Sequence, residues 1–251
     1  MKIAFNTANL VARVTGYRYL GTEWGAQHDK TAAAMNEREW TAICREIAGA
    51  GYKAVEVWVA HCDPRFTDEK RARRWREILD DSGLAPIGLA GALTGDSARI
   101  CRWMGIPAAN GGFWGTSLAE VLRIVAATGL QCNFENHPEK SAEEIRGRIE
   151  GGSPGVGLCI DTGWLGTNGV DAPAAIRALG PLVRHVHVKD VRSAGAHETV
   201  PLGTGCVGIA AVLGALKEIG YQGWYSWEDE PEDRNPMEIA SAMREWLLAQ
   251  G

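Results

Sequence analysis

No segment of the 251-residue sequence is apolar over the ~18 residues that a membrane-spanning helix requires, so we expect no membrane partner. The N-terminal apolar segment is too short for a signal peptide, and no small-residue cleavage site follows it. The six cysteines are scattered and include no CxxC pair, which predicts reduced core thiols in a cytoplasmic protein. No linker, low-complexity tract or charge block divides the chain, so the sequence predicts one domain over residues 1–251.

Glycine-rich phosphate-binding motifs and an excess of positive charge are missing as well. Neither GxGxxG nor GxxxxGK follows a predicted strand, which argues against an open nucleotide-binding sheet. The 26 Lys and Arg residues are outnumbered by 31 Asp and Glu residues, which gives a net charge of −5 and disfavours a nucleic-acid partner. The basic run at 70–76 is explained most simply as a solvated helix face.

The sequence does contain a regular alternation of β-type runs and amphipathic helical segments. The clearest helical segments begin at the capping residues Asn36 and Asp68 and end at glycine. Eight such units of about 31 residues each predict an α/β fold, a (β/α)₈ TIM barrel, with an open doubly wound sheet as the alternative. The predicted strands are Ile3–Ala8, Ala54–Val59, Ala85–Ala90, Ala108–Phe113, Gln131–Glu135, Val156–Asp161, Val183–Lys189 and Trp224–Glu228.

Polar side chains recur on one face of several of these strands. In the fifth strand, Asn133 and Glu135 lie opposite Cys132 and Phe134, because side chains in a strand alternate with a period of two. The sixth, seventh and eighth strands alternate in the same way. Since the apolar set must pack against the outer helices, we expect the polar set to face the barrel axis. Its last members then lie at the C-terminal ends of the strands, where barrel active sites are built.

Four of these inward groups are expected to converge: Glu135, Asp161, His187 and Glu228. The first three are spaced 26 residues apart, one βα unit each, which places them on adjacent strands at equivalent depth. Three carboxylates held close together repel one another, and a divalent cation would offset that repulsion. An oxygen-rich set without thiolate favours Mn²⁺ first, with Mg²⁺ or Co²⁺ as alternatives, over structural zinc. The other explanation is a salt-bridge network of these carboxylates with Lys189, Arg192 and His185.

The segments VEVW, NFENHP, GLCIDTGW, HVHVKDVR, PLGTG and GYQGWYSWE, in this order, resemble the xylose isomerase-like TIM-barrel superfamily. Its members include sugar isomerases and epimerases, inosose dehydratases and apurinic endonucleases. The resemblance extends from about residue 50 to 230. It places the family's metal ligands on the four residues named above, and it implies that Glu135 and Glu228 also act as the catalytic acid and base.

Three positions depart from the family's pattern. Trp164 stands in DTGW where a histidine is common, Thr204 stands in PLGTG where an acidic residue is common, and the third strand has no histidine. The endonuclease branch builds a three-zinc cluster from many histidines, and this sequence has six in all. Together with the acidic charge, this makes a nucleic-acid substrate improbable.

Four polar residues are candidates for binding the substrate. His137 follows Glu135 by two positions and leaves the strand on the same side, although it could instead cap the loop. HVKDVR is closest to the inosose dehydratases, and that resemblance makes Lys189 and Arg192 candidates. Glu56 faces inward on the second strand and could contact the substrate or form a buried ion pair.

Ten tryptophans are more than a core of this size needs. Trp58, Trp114 and Trp164 follow the second, fourth and sixth strands, and Trp24 lies in the long segment after the first. Because aromatic faces stack on the C–H faces of sugar rings, we expect these four to wall a carbohydrate pocket. The alternative is that they pack on one another at the barrel rim.

Three hypotheses for function follow. The first is a metal-dependent isomerase or epimerase of a keto sugar or polyol, which transfers a proton through a metal-bound enediolate with Glu135 and Glu228 as base and acid. The second is a lyase that dehydrates an inosose or 3-keto sugar from the same intermediate. The third is a barrel that binds a sugar without turnover. The expected partner is an unphosphorylated sugar or cyclitol, and the resemblance alone implies a homodimer or homotetramer.

Overall fold

Eight parallel strands close into a barrel in the order β1-β10-β7-β6-β5-β4-β3-β2, which confirms the predicted (β/α)₈ architecture. The computed structural model describes residues 1–18 and 24–251. A short antiparallel hairpin, β8–β9, follows the seventh barrel strand. The strands are β1 Lys2–Asn6, β2 Ala54–Trp58, β3 Ala85–Ala90, β4 Ala108–Gly111, β5 Gln131–Glu135, β6 Val156–Asp161, β7 Val183–Val188, β8 Asp190–Val191, β9 Thr199–Val200 and β10 Trp224–Trp227.

Helices cover the outside of the barrel between successive strands. Serine, threonine, asparagine or aspartate caps the start of most of them by accepting a backbone N–H, as Asn36, Asp68 and Ser117 do. The helices are α1 Trp24–Ala34, α2 Glu37–Gly49, α3 Glu69–Asp81, α4 Gly95–Met104, α5 Leu118–Thr128, α6 Ala142–Arg148, α7 Thr162–Thr167, α8 Ala172–Leu179, α9 Ile209–Glu218 and α10 Ala240–Gln250.

Two helices, α1 and α7, were not predicted from the sequence. Helix α1 buries only Gln27, Thr31 and Ala32, so it carries no apolar stripe. Helix α7 is only six residues long and follows β6 directly, because Asp161 both ends the strand and caps the helix. The first strand is also shorter than predicted: it ends at Asn6, whose side chain caps a 3₁₀ turn over Thr7–Leu10.

The core lies between the strands and the outer helices, and the polar strand residues point inward as predicted. Trp40 and Trp75 stack at 6.3 Å in the outer layer, where Trp227 packs on Phe5. Five of the six cysteines are buried and free, but Cys206 is exposed, so it is not a core thiol. None of the helices in the described ranges is long and apolar enough to cross a bilayer.

Candidate active site

The C-terminal ends of β5, β6, β7 and β10 bring together the four residues predicted to converge. Glu135, Asp161, His187 and Glu228 each offer a ligand atom, and these atoms all lie within 4.8 Å of one another. All four side chains are buried. We call this set the acidic cluster.

Neighbouring elements fix the Asp161 carboxylate. Its Oδ1 accepts a hydrogen bond of 3.0 Å from the N–H of Trp164, which caps α7 and leaves Oδ2 for the cluster. The side chain of Asn136 bonds both the N–H and the carbonyl of Asp161, and this joins the loop after β5 to the end of β6. Burial raises the pKa of Asp161 to about 6, since the charges of Glu228 and Glu135 offset the attraction of Lys189.

The imidazole of His187 lies between two glutamates of the cluster and a third beneath it. Nδ1 lies 2.6 Å from Oε1 of Glu135 and 3.3 Å from Oε2 of Glu228, whereas Nε2 lies 3.0 Å from Oε1 of Glu56. Burial opposes the charged imidazole, but the surrounding acidic groups raise the pKa of His187 well above its usual value. Nδ1 therefore faces the other residues of the cluster, and Nε2 faces Glu56.

Glu228 is held at one oxygen and unbonded at the other. Its Oε1 accepts a hydrogen bond of 2.7 Å from Nδ2 of Asn6, a residue that the sequence did not single out. Its Oε2 is buried and receives no hydrogen bond from any described residue. Burial would raise the pKa of Glu228, but His187 and Lys189 lower it to about 2, so the side chain is a carboxylate at neutral pH.

A divalent cation fits this donor set. Three carboxylates and one imidazole converge within a few ångströms. Oε2 of Glu228 accepts no well-aligned hydrogen bond, although His187 Nδ1 and Lys189 Nζ lie 3.3 and 3.5 Å away. Such hard, oxygen-rich sets bind Mn²⁺ or Mg²⁺. Cys159, His185 and His187 form a second close group, but burial raises the pKa of the Cys159 thiol well above its usual value. A thiolate ligand is therefore disfavoured there.

Lys189, which is buried, and Glu230, which is partly buried, pair beside the acidic cluster. The ammonium of Lys189 donates to Oε2 of Glu230 and lies 3.5 Å from both Asp161 Oδ2 and Glu228 Oε2. Glu230 has φ of 48°, a left-handed conformation that non-glycine residues rarely adopt and that collects at functional sites. The neighbouring acidic residue, Asp229, accepts hydrogen bonds from Arg234 instead.

A polar network supports the cluster from inside the barrel. Glu56 is fully buried, and its carboxylate accepts from Asn110 Nδ2 at 2.7 Å and lies 2.8 Å from His185 Nε2. Asn133 donates in turn to Asn110 at 2.8 Å. Gly88 leaves the room for this network, because a Cβ there would lie 2.5 Å from the Asn110 amide nitrogen.

A cavity of about 890 Å³ opens above the cluster. Six residues predicted to bind substrate line it: His137, Lys189, Trp24, Trp58, Trp114 and Trp164. The other two predicted residues do not. Glu56 lies beneath the cluster, and Arg192 is exposed on the β8–β9 hairpin, where it forms an ion pair with Glu198.

The family model described as xylose isomerase-like TIM barrel matches residues 44–250. The chain is 30% identical to the inosose dehydratase of Geobacillus thermodenitrificans over 49% of each chain. It is 31% identical to that of Lacticaseibacillus casei over 38% of each. The chain thus spans about half the length of the curated relatives it matches, or less.

Solved structures share the fold at low sequence identity. The D-allulose 3-epimerase of Methylomonas sp. superposes with a TM-score of 0.71 at 16% identity, over 100% of this chain and 98% of its own. The probable 3-DHS dehydratase of Bacillus anthracis superposes with a TM-score of 0.67 at 16% identity, over 99% of each chain. At these identities the likeness is one of fold.

Proposed function

The chain belongs to the xylose isomerase-like TIM barrel family, and we propose that it is a metal-dependent isomerase or epimerase of a keto sugar or a related polyol. The observation that carries this proposal is the acidic cluster, in which Glu135 and Glu228 both approach Nδ1 of His187. Two carboxylates at one centre can exchange a proton with the same carbon, one as base and the other as acid.

The four residues of the acidic cluster would hold the ion, with Mn²⁺ the first expectation. When bound, a divalent ion polarises a carbonyl and thereby acidifies the neighbouring C–H group. The hydrogen bond from Asn6 orients the Glu228 carboxylate.

The remaining cavity residues position the sugar and exclude water. Nε2 of His137 lies 3.8 Å from Oε2 of Glu135, close enough for the imidazole to reach a substrate hydroxyl beside that carboxylate. Trp114 and Trp164 contact the His137 ring from two sides, with centroid separations of 4.6 and 5.1 Å. Their indole faces provide a surface on which the C–H face of a sugar ring can stack.

Solvent-deuterium exchange into a bound keto sugar tests this proposal. Glu135→Gln and Glu228→Gln should each abolish the exchange, because an amide neither accepts nor returns the proton. Glu198→Gln makes the same chemical change on an exposed residue of the hairpin and should leave exchange unchanged. Exchange at the wild-type rate in either cluster variant would contradict the proposal.

The second candidate is a dehydratase that acts on an inosose or a 3-keto sugar. The curated relatives reported above, all named inosose dehydratase, favour it. It shares the proton-removal step, after which a β-hydroxyl leaves instead of the proton being returned. The mass of the product distinguishes the two: it is unchanged after isomerisation and smaller by one water after dehydration.

A further inference from the structure

Two aromatic walls face each other across the cavity. The first consists of Trp24, Trp58 and His28. The rings of Trp24 and His28 both contact the indole of Trp58, with centroid separations of 5.0 and 5.5 Å. The second runs from Trp114 through His137 and Trp164 to His197. Trp58 ends β2 and Trp164 follows β6, and these strands are diametrically opposed in the eight-strand order.

The second wall is the one that the sugar of the proposed substrate would contact. His137 joins it to the acidic cluster, so a sugar over the cluster stacks on this wall. The first wall is then left without a partner. Its outer member, Trp24, is 43% exposed although its ring lines the cavity. A volume of about 890 Å³ is also near the upper end of the ~300–1,000 Å³ found for drug-sized ligands, whereas a single sugar ring is much smaller.

Three polar side chains near the first wall, Asp63, Asp96 and Ser97, already bond within the protein. Asp63 bonds Arg65 and lies 2.9 Å from Nε2 of His28. The carboxylate of Asp96 accepts from Arg99 at 2.6 Å, and the hydroxyl of Ser97 donates to the carbonyl of Ala92 at 2.7 Å. A second sugar unit would need several hydrogen bonds here, and these groups have few to offer.

The charges of the cavity disfavour an anionic substituent in the same place. Among the residues that the structure describes, the lysine and arginine side chains that line it, Lys189 and Arg65, are paired with carboxylates. Glu232 adds a further acidic group to the lining. A phosphate or nucleotide would therefore meet negative charge without a free cation.

We propose that the substrate is a keto-sugar glycoside that carries one uncharged aromatic substituent, with the sugar ring over the acidic cluster and the substituent against Trp24; the glucosides used below lack the keto group and report binding alone. The sugar end rests on the proposed function. The aromatic end rests on the first wall alone.

Equilibrium binding to the Mn²⁺-loaded full chain tests the proposal, with phenyl and methyl glucopyranosides of both anomers and the disaccharide cellobiose as probes. Phenyl glucoside should bind at least about tenfold more tightly than methyl glucoside. Trp24→Ala should reduce this preference to less than about threefold and leave the affinity for methyl glucoside unchanged. Phe66→Ala removes a comparably exposed ring, at 46%, that does not line the cavity, and should retain the preference.

Equal affinity for the two glucosides, no binding of either, or an unchanged preference in Trp24→Ala would overturn the proposal. Cellobiose binding as tightly as phenyl glucoside would also overturn it, since the outer half would then be a second sugar site. The deuterium-exchange assay described above tests the proposed function independently of this binding experiment. Exchange on free keto sugars without an aryl preference contradicts only this inference, whereas an aryl preference without exchange contradicts only the proposed function.

Discussion

Nε2 of His187 lies 3.0 Å from Oε1 of Glu56, and both side chains are buried in the barrel interior. A neutral imidazole that donates from Nε2 to a carboxylate carries its lone pair on Nδ1. In this structure Nδ1 faces Glu135 and Glu228, where a cation would be held. A bound cation requires a neutral imidazole, and Glu56 would then keep the proton on Nε2 and fix the ring orientation, as carboxylates behind metal-bound histidines do.

Replacing Glu56 by Gln should weaken Mn²⁺ binding by roughly 10–100-fold, the usual effect of losing a partner behind a histidine ligand. The amide can direct its NH₂ group at Nε2, which would move the imidazole proton to Nδ1 and block the cluster. Isothermal titration of Mn²⁺ into chelator-treated protein measures the change directly.

His185→Gln is the matched control. The glutamine can still donate to the Oε2 atom of Glu56, which now lies 2.8 Å from His185, and the contact between Glu56 and His187 is untouched. We expect its Mn²⁺ affinity to stay within about threefold of wild type. Equal losses of Mn²⁺ affinity in the two variants would mean that the network affects metal binding through general packing and not through the His187 tautomer.

The acidic cluster could be predicted from the sequence more completely than the residues that hold it in place, for a physical reason. Alternation along a strand sends Glu135 and His187 to the barrel axis whatever the surroundings, and parallel strands place their C-terminal ends at one rim. Which nitrogen of His187 meets Glu56 depends on register and depth across the barrel. No spacing along the chain specifies that, and the sequence accordingly left open whether Glu56 contacts substrate or forms a buried ion pair.

Residues on connecting segments were predicted least well. Arg192 lies shortly after β7 in the sequence, but it directly follows β8, and the β8–β9 hairpin carries its side chain to the surface beside Glu198. The contact between Glu230 and Lys189 depends on the left-handed backbone of Glu230, which is set by tertiary packing. The contact of Asn6 with Glu228 was not predicted, because the first strand ends two residues earlier than the pattern indicated.

Lys189→Met should destabilise the metal-free protein by roughly 3–5 kcal/mol, because it removes one partner from a buried set of charges. Its ammonium lies 3.5 Å from both Asp161 and Glu228, and it bonds Glu230. Without it, the two buried carboxylates and partly buried Glu230 lose their nearest lysine. Urea unfolding in the presence of a chelator measures the loss.

A double variant identifies the source of that loss. Combining Lys189→Met with Glu230→Gln removes both members of the closest pair and should recover part of the lost stability. Additive losses from the two changes would contradict an interaction between them. Added Mn²⁺ should stabilise Lys189→Met, since the remaining carboxylates would then face a cation.

Trp164→His restores the residue common at this position in the family and should weaken sugar binding. The indole packs between His137 and His197, at 5.1 and 5.0 Å, and presents one side to the cavity. Loss of stacking worth about 0.5–1.5 kcal/mol raises KM by roughly 2–10-fold with little change in kcat. Trp103→His, in the outer helical layer, is the control. A large fall in kcat with unchanged KM would show that Trp164 acts on the chemical step.

Acid stability should depend on a histidine outside the acidic cluster. His61 is buried, with Nδ1 at 2.9 Å from the Thr7 hydroxyl, which also accepts the N–H of Trp58. Burial lowers the pKa of His61 to about 3. Between that pH and about 6.5, the ordinary pKa of histidine, the unfolded chain binds a proton that the folded chain does not. Stability therefore falls as the pH falls, by up to about 1.4 kcal/mol per pH unit.

His61→Asn should remove this contribution, because asparagine can accept the Thr7 hydrogen bond without titrating. The variant is expected to be less stable than wild type at pH 7.5, with the difference in unfolding free energy shrinking by up to about 2 kcal/mol by pH 5. Urea unfolding at several pH values measures the two curves. His197→Asn, which changes an exposed histidine, should run parallel to wild type. If the His61→Asn curve is parallel as well, buried His61 does not control acid stability.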